Sequence, residues 1–161
     1  MTRRNVHLAM LLLAPMIGAQ AQARPACAVV PKSLEAMKGC YRPLLVFSAS
    51  GDDLRLRRQV EMLDSAADDM MDRFVLFTPI VPDGKRVSTP ADSPYTVLSS
   101  KEMAAVRAQF HIPAGEFTVV LLDEDGGVKL RSPSPVNADR LNALIDKLPR
   151  RQAEMQRPHA N

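Results

Sequence analysis

Few side chains in this sequence could do chemistry, and their spacing limits which chemistry. Cys27 and Cys40 are the only two cysteines. Neither lies in a Cys-x-x-Cys pattern or at a helix start where a thiolate would be stabilised, so a disulfide is the first expectation and a redox-active pair the alternative. Ser48, Ser50, Asp52 and Asp53 cluster in one short polar stretch, followed at once by Arg55, Arg57 and Arg58. A serine nucleophile there would need a base, and His111 is the only histidine in the folded body, since His7 precedes it and His159 is in the tail. No nucleophile-elbow pattern surrounds either serine, so hydrolytic catalysis is not expected. One histidine without a nearby cysteine pair also argues against a metal site, and no phosphate-cradling glycine pattern accompanies the turn. No catalytic residue and no cofactor are therefore assigned. Capping of the following helix already accounts for the two aspartates. The functional expectation for Ser48, Ser50, Asp52, Asp53 and Arg55 is a surface for a ligand or partner, as befits a turn at the carboxyl end of a strand.

The compartment follows from the first residues. Arg3 and Arg4 precede an apolar run from Leu8 to Gly18, too short to span a bilayer. Small-x-small patterns end at Ala21 and Ala23. Residues 1–23 therefore read as a secretory signal peptide, and the chain as periplasmic or secreted, with no membrane contact after cleavage. Cys27 lacks the apolar neighbour that lipidation needs. The stretch removed holds two arginines and no acid, so the formal net charge falls from +3 to +1. With no tryptophan and no interleaving of aromatic and basic residues, nucleic acid is not an expected partner. In an oxidising compartment Cys27 and Cys40 are expected to bond.

The elements that must position these residues are legible as periodicities. Residues 24–41 form a proline-bearing arm, with one helical turn at Ser33 to Lys38. Leu44 to Phe47 is continuously apolar, as in a strand covered on both faces. A single helix is expected from Asp53 to about Arg73, with a buried stripe at Leu56, Val60, Leu63, Ala67 and Met70. Phe74 to Val81 is a second strand. The proline-rich loop from Pro82 to Leu98 is long for a compact domain and ends in a short extended piece at Tyr95 to Leu98. Ser99 with Glu102 is a capping box for a helix to Phe110. Phe117 to Asp123 is a third strand, and Asp125-Gly126-Gly127 turns it into Val128 to Arg131, whose alternation suits an edge. Lys129 and Arg131 there protect against sheet-to-sheet pairing. Asn137 caps a last helix carrying Leu141, Leu144, Ile145 and Leu148, which Pro149 is expected to end. A domain over residues 42–149 and a polar, frayed tail over 150–161 complete the reading.

A right-handed crossover makes the first two strands parallel, and the hairpin makes the last two antiparallel. The fold class is therefore α/β: a thioredoxin-like, mixed four-stranded sheet with helices on both faces. Four separated motifs carry a resemblance. They are Arg42-Pro-Leu-Leu-Val-Phe with Asp52-Asp53 and Gln59, Phe110-His-Ile-Pro-Ala-Gly-Glu-Phe, Asp125-Gly-Gly-Val-Lys-Leu-Arg, and Leu148-Pro-Arg-Arg-Gln-Ala-Glu-Met. In this order they resemble the domain of unknown function 4174 family over about residues 41–157. That family is similar to the peroxiredoxin-like DUDES domains of vertebrate secreted matrix proteins. The resemblance implies a thioredoxin-like fold and export, and no established activity. Thioredoxins and peroxiredoxins keep a nucleophilic cysteine in the turn after the first strand; here that place holds Ser48 to Asp53. The expectation is a non-catalytic binding module, contacting a protein or small ligand through this turn and the 82–98 loop. The alternative is a divergent thiol redox enzyme using Cys27 and Cys40.

Overall fold

The computed structural model describes residues 27–82 and 87–157. The expected signal peptide lies outside the described residues. In chain order the elements are α1 (Leu34–Met37), β1 (Arg42–Phe47), α2 (Leu54–Asp64), α3 (Ala67–Asp72), β2 (Val75–Ile80), α4 (Ser100–Gln109), β3 (Thr118–Leu122), β4 (Val128–Ser132), α5 (Ala138–Ile145) and α6 (Pro149–Met155). The four strands form one sheet in the order β2-β1-β3-β4. β1 runs parallel to β2 and antiparallel to β3, and β3 is antiparallel to β4.

All six residues of β1 and all six of β2 are buried. Successive side chains on a strand point to opposite faces, so both faces of the sheet are covered. Leu44, Leu45, Val46 and Phe47 join Val119, Val120 and Leu121 of β3 at the centre of the core. Pro43 is tolerated in this central strand because pairing with β3 begins only at Leu44. Pro79 sits in β2, at the sheet edge. There the chain returns and adds a parallel bridge between Phe77 and Tyr95, the short extended piece expected from the sequence.

Two expectations are corrected. The helix read as continuous to Arg73 breaks after Asp64 into α2 and α3. The buried stripe survives at Leu56, Val60, Leu63 and Met70, while Ala67 is only half-buried. The Asp64 carboxylate explains the break. It accepts bonds from the backbone N–H groups of Ala91, Asp92 and Ser93, and Ser93 Oγ donates to the Leu63 carbonyl. The end of α2 thus anchors the returning loop instead of extending. Burial opposes the charge on Asp64, but these three donors outweigh it and hold the carboxyl below its ordinary range.

The second correction concerns the chain after Pro149. It is helical, not frayed, through Met155. Proline is well suited to the first position of a helix, where its missing N–H costs nothing. Pro149 therefore opens α6 rather than merely closing α5.

Candidate functional site

The turn after β1 is built around side chains that satisfy one another. Asp53 caps α2, accepting from the Arg55 N–H at 2.8 Å. Its carboxylate also receives the Arg55 guanidinium through Nε at 3.1 Å and Nη2 at 2.8 Å. Arg55 in turn lies over the Phe117 ring, 4.9 Å from its centroid. The Arg55 guanidinium and backbone bonds hold the Asp53 carboxyl below its ordinary range, against a smaller opposing effect of burial. A depressed carboxyl stabilises above its ordinary value and stops doing so as pH falls through the lowered one. Asp53→Ala is therefore expected to cost about 1 kcal/mol of stability at neutral pH. The deficit relative to the parent chain should vanish in strong acid. Urea denaturation at several pH values checks this, and a deficit that does not shrink with acid would contradict it.

Ser48 is fully buried, and its hydroxyl donates to the Ser50 carbonyl at 2.9 Å. Ser50 and Asp52 are exposed, as is Leu54, at 71%. The structure thus gathers Ser48, Ser50, Asp52, Asp53 and Arg55 at one end of the sheet. Only part of the group faces solvent.

Sequence reasoning missed Arg107. This side chain rises from α4 and donates to the carbonyls of Ser48, Ile80 and Pro113, each at 2.8 Å. Its guanidinium stands 5.5 Å from the centroid of the Phe47 ring. It therefore ties together the ends of β1 and β2 and the loop before β3. Burial lowers its pKa. Four residues after Met103 and three before Phe110, Arg107 falls on the apolar face of α4, and a charged residue there was the one signal in the sequence; nothing local showed that the strand ends would need donors. His111 takes a structural role at the end of α4. Its φ of 54° and the bonds from His111 N to Ala108 O and from Ile112 N to Arg107 O form a Schellman cap.

The sulfurs lie elsewhere. Cys27 and Cys40 are bonded, with Cα atoms 5.7 Å apart. Cys40 is buried and Cys27 exposed. The bridge precedes β1, whereas Ser48 follows it, so the length of a six-residue strand, roughly 20 Å, separates them. The bridged arm is fixed further by Tyr41 Oη donating to Ala28 O and Thr96 Oγ1 donating to Pro31 O.

The model of a domain of unknown function, DUF4174, matches residues 33–154, most of the chain. This chain belongs to the DUF4174 family. Among solved structures the fold is similar to Plasmodium yoelii thioredoxin peroxidase I, at 19% identity over 80% of this chain and 84% of that one, with a TM-score of 0.57. It is similar also to Plasmodium vivax 2-Cys peroxiredoxin, at 19% identity over 77% and 85% of the two chains, TM-score 0.54. The exposed lipoprotein thioredoxin Etrx1 of Streptococcus pneumoniae matches at 17% identity over 71% and 90%, TM-score 0.51. No curated protein matches the chain. The fold of this DUF4174 protein is thioredoxin-like. The motif residue Gln59 earns its place structurally. It is fully buried, and its side-chain amide pairs with both the N–H and the carbonyl of Val136, at 2.7 and 2.9 Å. Among the described residues no group of three or more His, Cys, Asp or Glu is arranged to hold a metal ion. No described helix is long and apolar enough to cross a membrane.

Proposed function

We propose that this chain is an exported, non-catalytic thioredoxin-like module that binds a protein or small-molecule partner through the Ser48–Asp53 turn, the start of α2 and the described residues of the 82–98 loop. One observation carries the reading. Where a thioredoxin-like oxidoreductase would need a thiolate, this chain has a buried serine whose hydroxyl is already donated to Ser50 O. A hydroxyl cannot exchange with a disulfide. The disulfide itself supports export, since such bonds persist in oxidising compartments. Exposed Leu54 beside Arg55 supports a binding face, because an apolar side chain flanked by a guanidinium suits protein contact. The reading requires no cofactor, no nucleic acid and no membrane contact after the signal peptide is removed.

The test is the removal of hydrogen peroxide in the presence of a thiol reductant, together with reduction of insulin disulfides. The expected rates equal those without the protein. Turnover that disappears in Cys27→Ser would overturn this reading. It would establish the alternative, a redox enzyme working through the exposed Cys27 and its partner Cys40.

A further inference from the structure

The bond between Cys27 and Cys40 joins two stretches of unlike standing. Cys40 is buried, and the chain around it is fixed by backbone bonds that need no sulfur. Gly39 N–H donates to the Glu124 carbonyl at 2.8 Å, Cys40 and Tyr41 N–H to the Met37 carbonyl at 3.1 and 2.9 Å, and Arg42 N–H to the Phe74 carbonyl at 2.8 Å. Cys27 is exposed, and so are the three residues after it, Val29 at 89%. A thiolate arriving from solvent therefore meets Cys27 first. The apolar core cluster includes neither cysteine, and the pairing of the four strands uses neither. The sheet can thus outlast the bond.

The exposed half is wired to the returning loop. Four residues after Cys27, the carbonyl of buried Pro31 accepts from Thr96 Oγ1 at 2.9 Å, and Thr96 is itself buried. The Thr96 N–H donates to the Phe77 carbonyl and the Phe77 N–H to the Pro94 carbonyl, both at 3.0 Å. These two bonds make the bridge that fastens residues 94–96 to the outer side of β2, at the sheet edge. Thr96 thus stands between the arm that the disulfide holds and the edge of the sheet. A further tie, from Tyr41 Oη to the Ala28 carbonyl, is exposed, so water competes for it.

We propose that the disulfide is a redox clasp: a dithiol reductant opens it in the folded protein by attack on Cys27, and opening loosens the hold of residues 94–96 on β2. The thiolate of the reductant bonds to Cys27 Sγ, the bond to Cys40 breaks, and its electron pair leaves on Cys40 Sγ, which takes up a proton. The second thiolate of the reductant attacks its own sulfur in the mixed disulfide, and Cys27 departs and is protonated in turn. Two electrons and two protons pass to the protein, and the reductant becomes a cyclic disulfide. The arm regains the conformational freedom that loop closure had removed, and Pro31 no longer sits fixed beneath Thr96. The step consumes one reductant per chain, which separates it from the turnover that marks an enzyme. It holds whether or not the loop meets a partner.

The test treats the complete mature protein with dithiothreitol in the absence of denaturant, and follows the thiols by iodoacetamide trapping and mass spectrometry. The rate of opening is expected to rise in proportion to dithiothreitol and to be insensitive to low urea. With glutathione in its place, peptide mapping should find the adduct on Cys27. Hydrogen exchange followed by NMR should then show the Thr96 and Phe77 amides several-fold less protected in the reduced protein, with the β1 and β3 amides unchanged. Thr96→Val, which removes the donor to Pro31, should abolish that difference between oxidised and reduced protein. Reduction that needs global unfolding overturns the proposal, as does an adduct on Cys40. So do a loss of protection across the whole sheet, unchanged exchange at Thr96 and Phe77, or a difference that persists in Thr96→Val.

Discussion

Arg42→Ala is expected to destabilise the fold by about 3–5 kcal/mol near neutral pH. The guanidinium of Arg42 is fully buried and lies within 3.4 Å of carboxyl oxygens on Asp123, Glu124 and Glu154. It also donates to the Arg73 carbonyl at 2.9 Å. Removing it leaves three acids without their shared positive charge and a main-chain oxygen without its donor, and the cost of stranding charge in a low-dielectric interior greatly exceeds the worth of the pairs themselves. The acids would then resist ionisation, so the deficit should shrink as pH falls and they take up protons. Urea denaturation of Arg42→Ala across pH measures both effects. A loss under about 1 kcal/mol at neutral pH would show that water replaces the guanidinium cheaply. The apolar double variant Arg42→Leu with Glu154→Leu should recover part of the loss, because it removes charges of both signs together.

The second large effect is expected at the disulfide. Replacing Cys27 and Cys40 by serine should cost about 3 kcal/mol, the chain-entropy value for closing a loop of this size. The arm would lose more than its staple. Pro31 accepts from Thr96 and Ala28 from Tyr41, so release of Cys27 also frees the stretch that these bonds fasten to the returning loop and to the residue before β1. Thermal or urea denaturation of the serine double variant checks the magnitude. An unchanged midpoint would mean that the arm is held by those hydrogen bonds alone.

The core strands, the hairpin and the caps at Asp53, Ser99 and Asn137 were legible in the sequence because each depends on neighbours a few residues apart. The disulfide was legible from cysteine number and compartment. The break between α2 and α3 was not. Asp64 looks like an ordinary helix-surface acid until Ala91, Asp92 and Ser93 are folded against it. α6 escaped because Pro149 was read as a stop and its apolar residues follow no buried stripe. The signal available was the Pro-Arg-Arg-Gln-Ala-Glu-Met run itself, with proline at the first helical position and Arg151 and Glu154 three apart. The charged residues at that end of the sheet come from positions 42, 123, 124 and 150–154. Taken singly, each reads as solvated surface, and only the topology makes them one buried cluster. At the opposite end the turn was correctly placed, but the degree to which Ser48 and Asp53 are consumed by internal bonds depends on side-chain geometry that spacing does not encode.

The bridge between Cys27 and Cys40 has a consequence for biogenesis. A chain with two cysteines admits a single intramolecular pairing, so oxidation cannot trap a scrambled isomer and no isomerase is required to correct one. Both partners lie ahead of β1, close together in the chain. Their encounter therefore needs only the closure of a short loop, an event far faster than assembly of a mixed sheet. The thiols can find each other while the rest of the polypeptide is still emerging, and the sheet then grows from an anchored amino-terminal end.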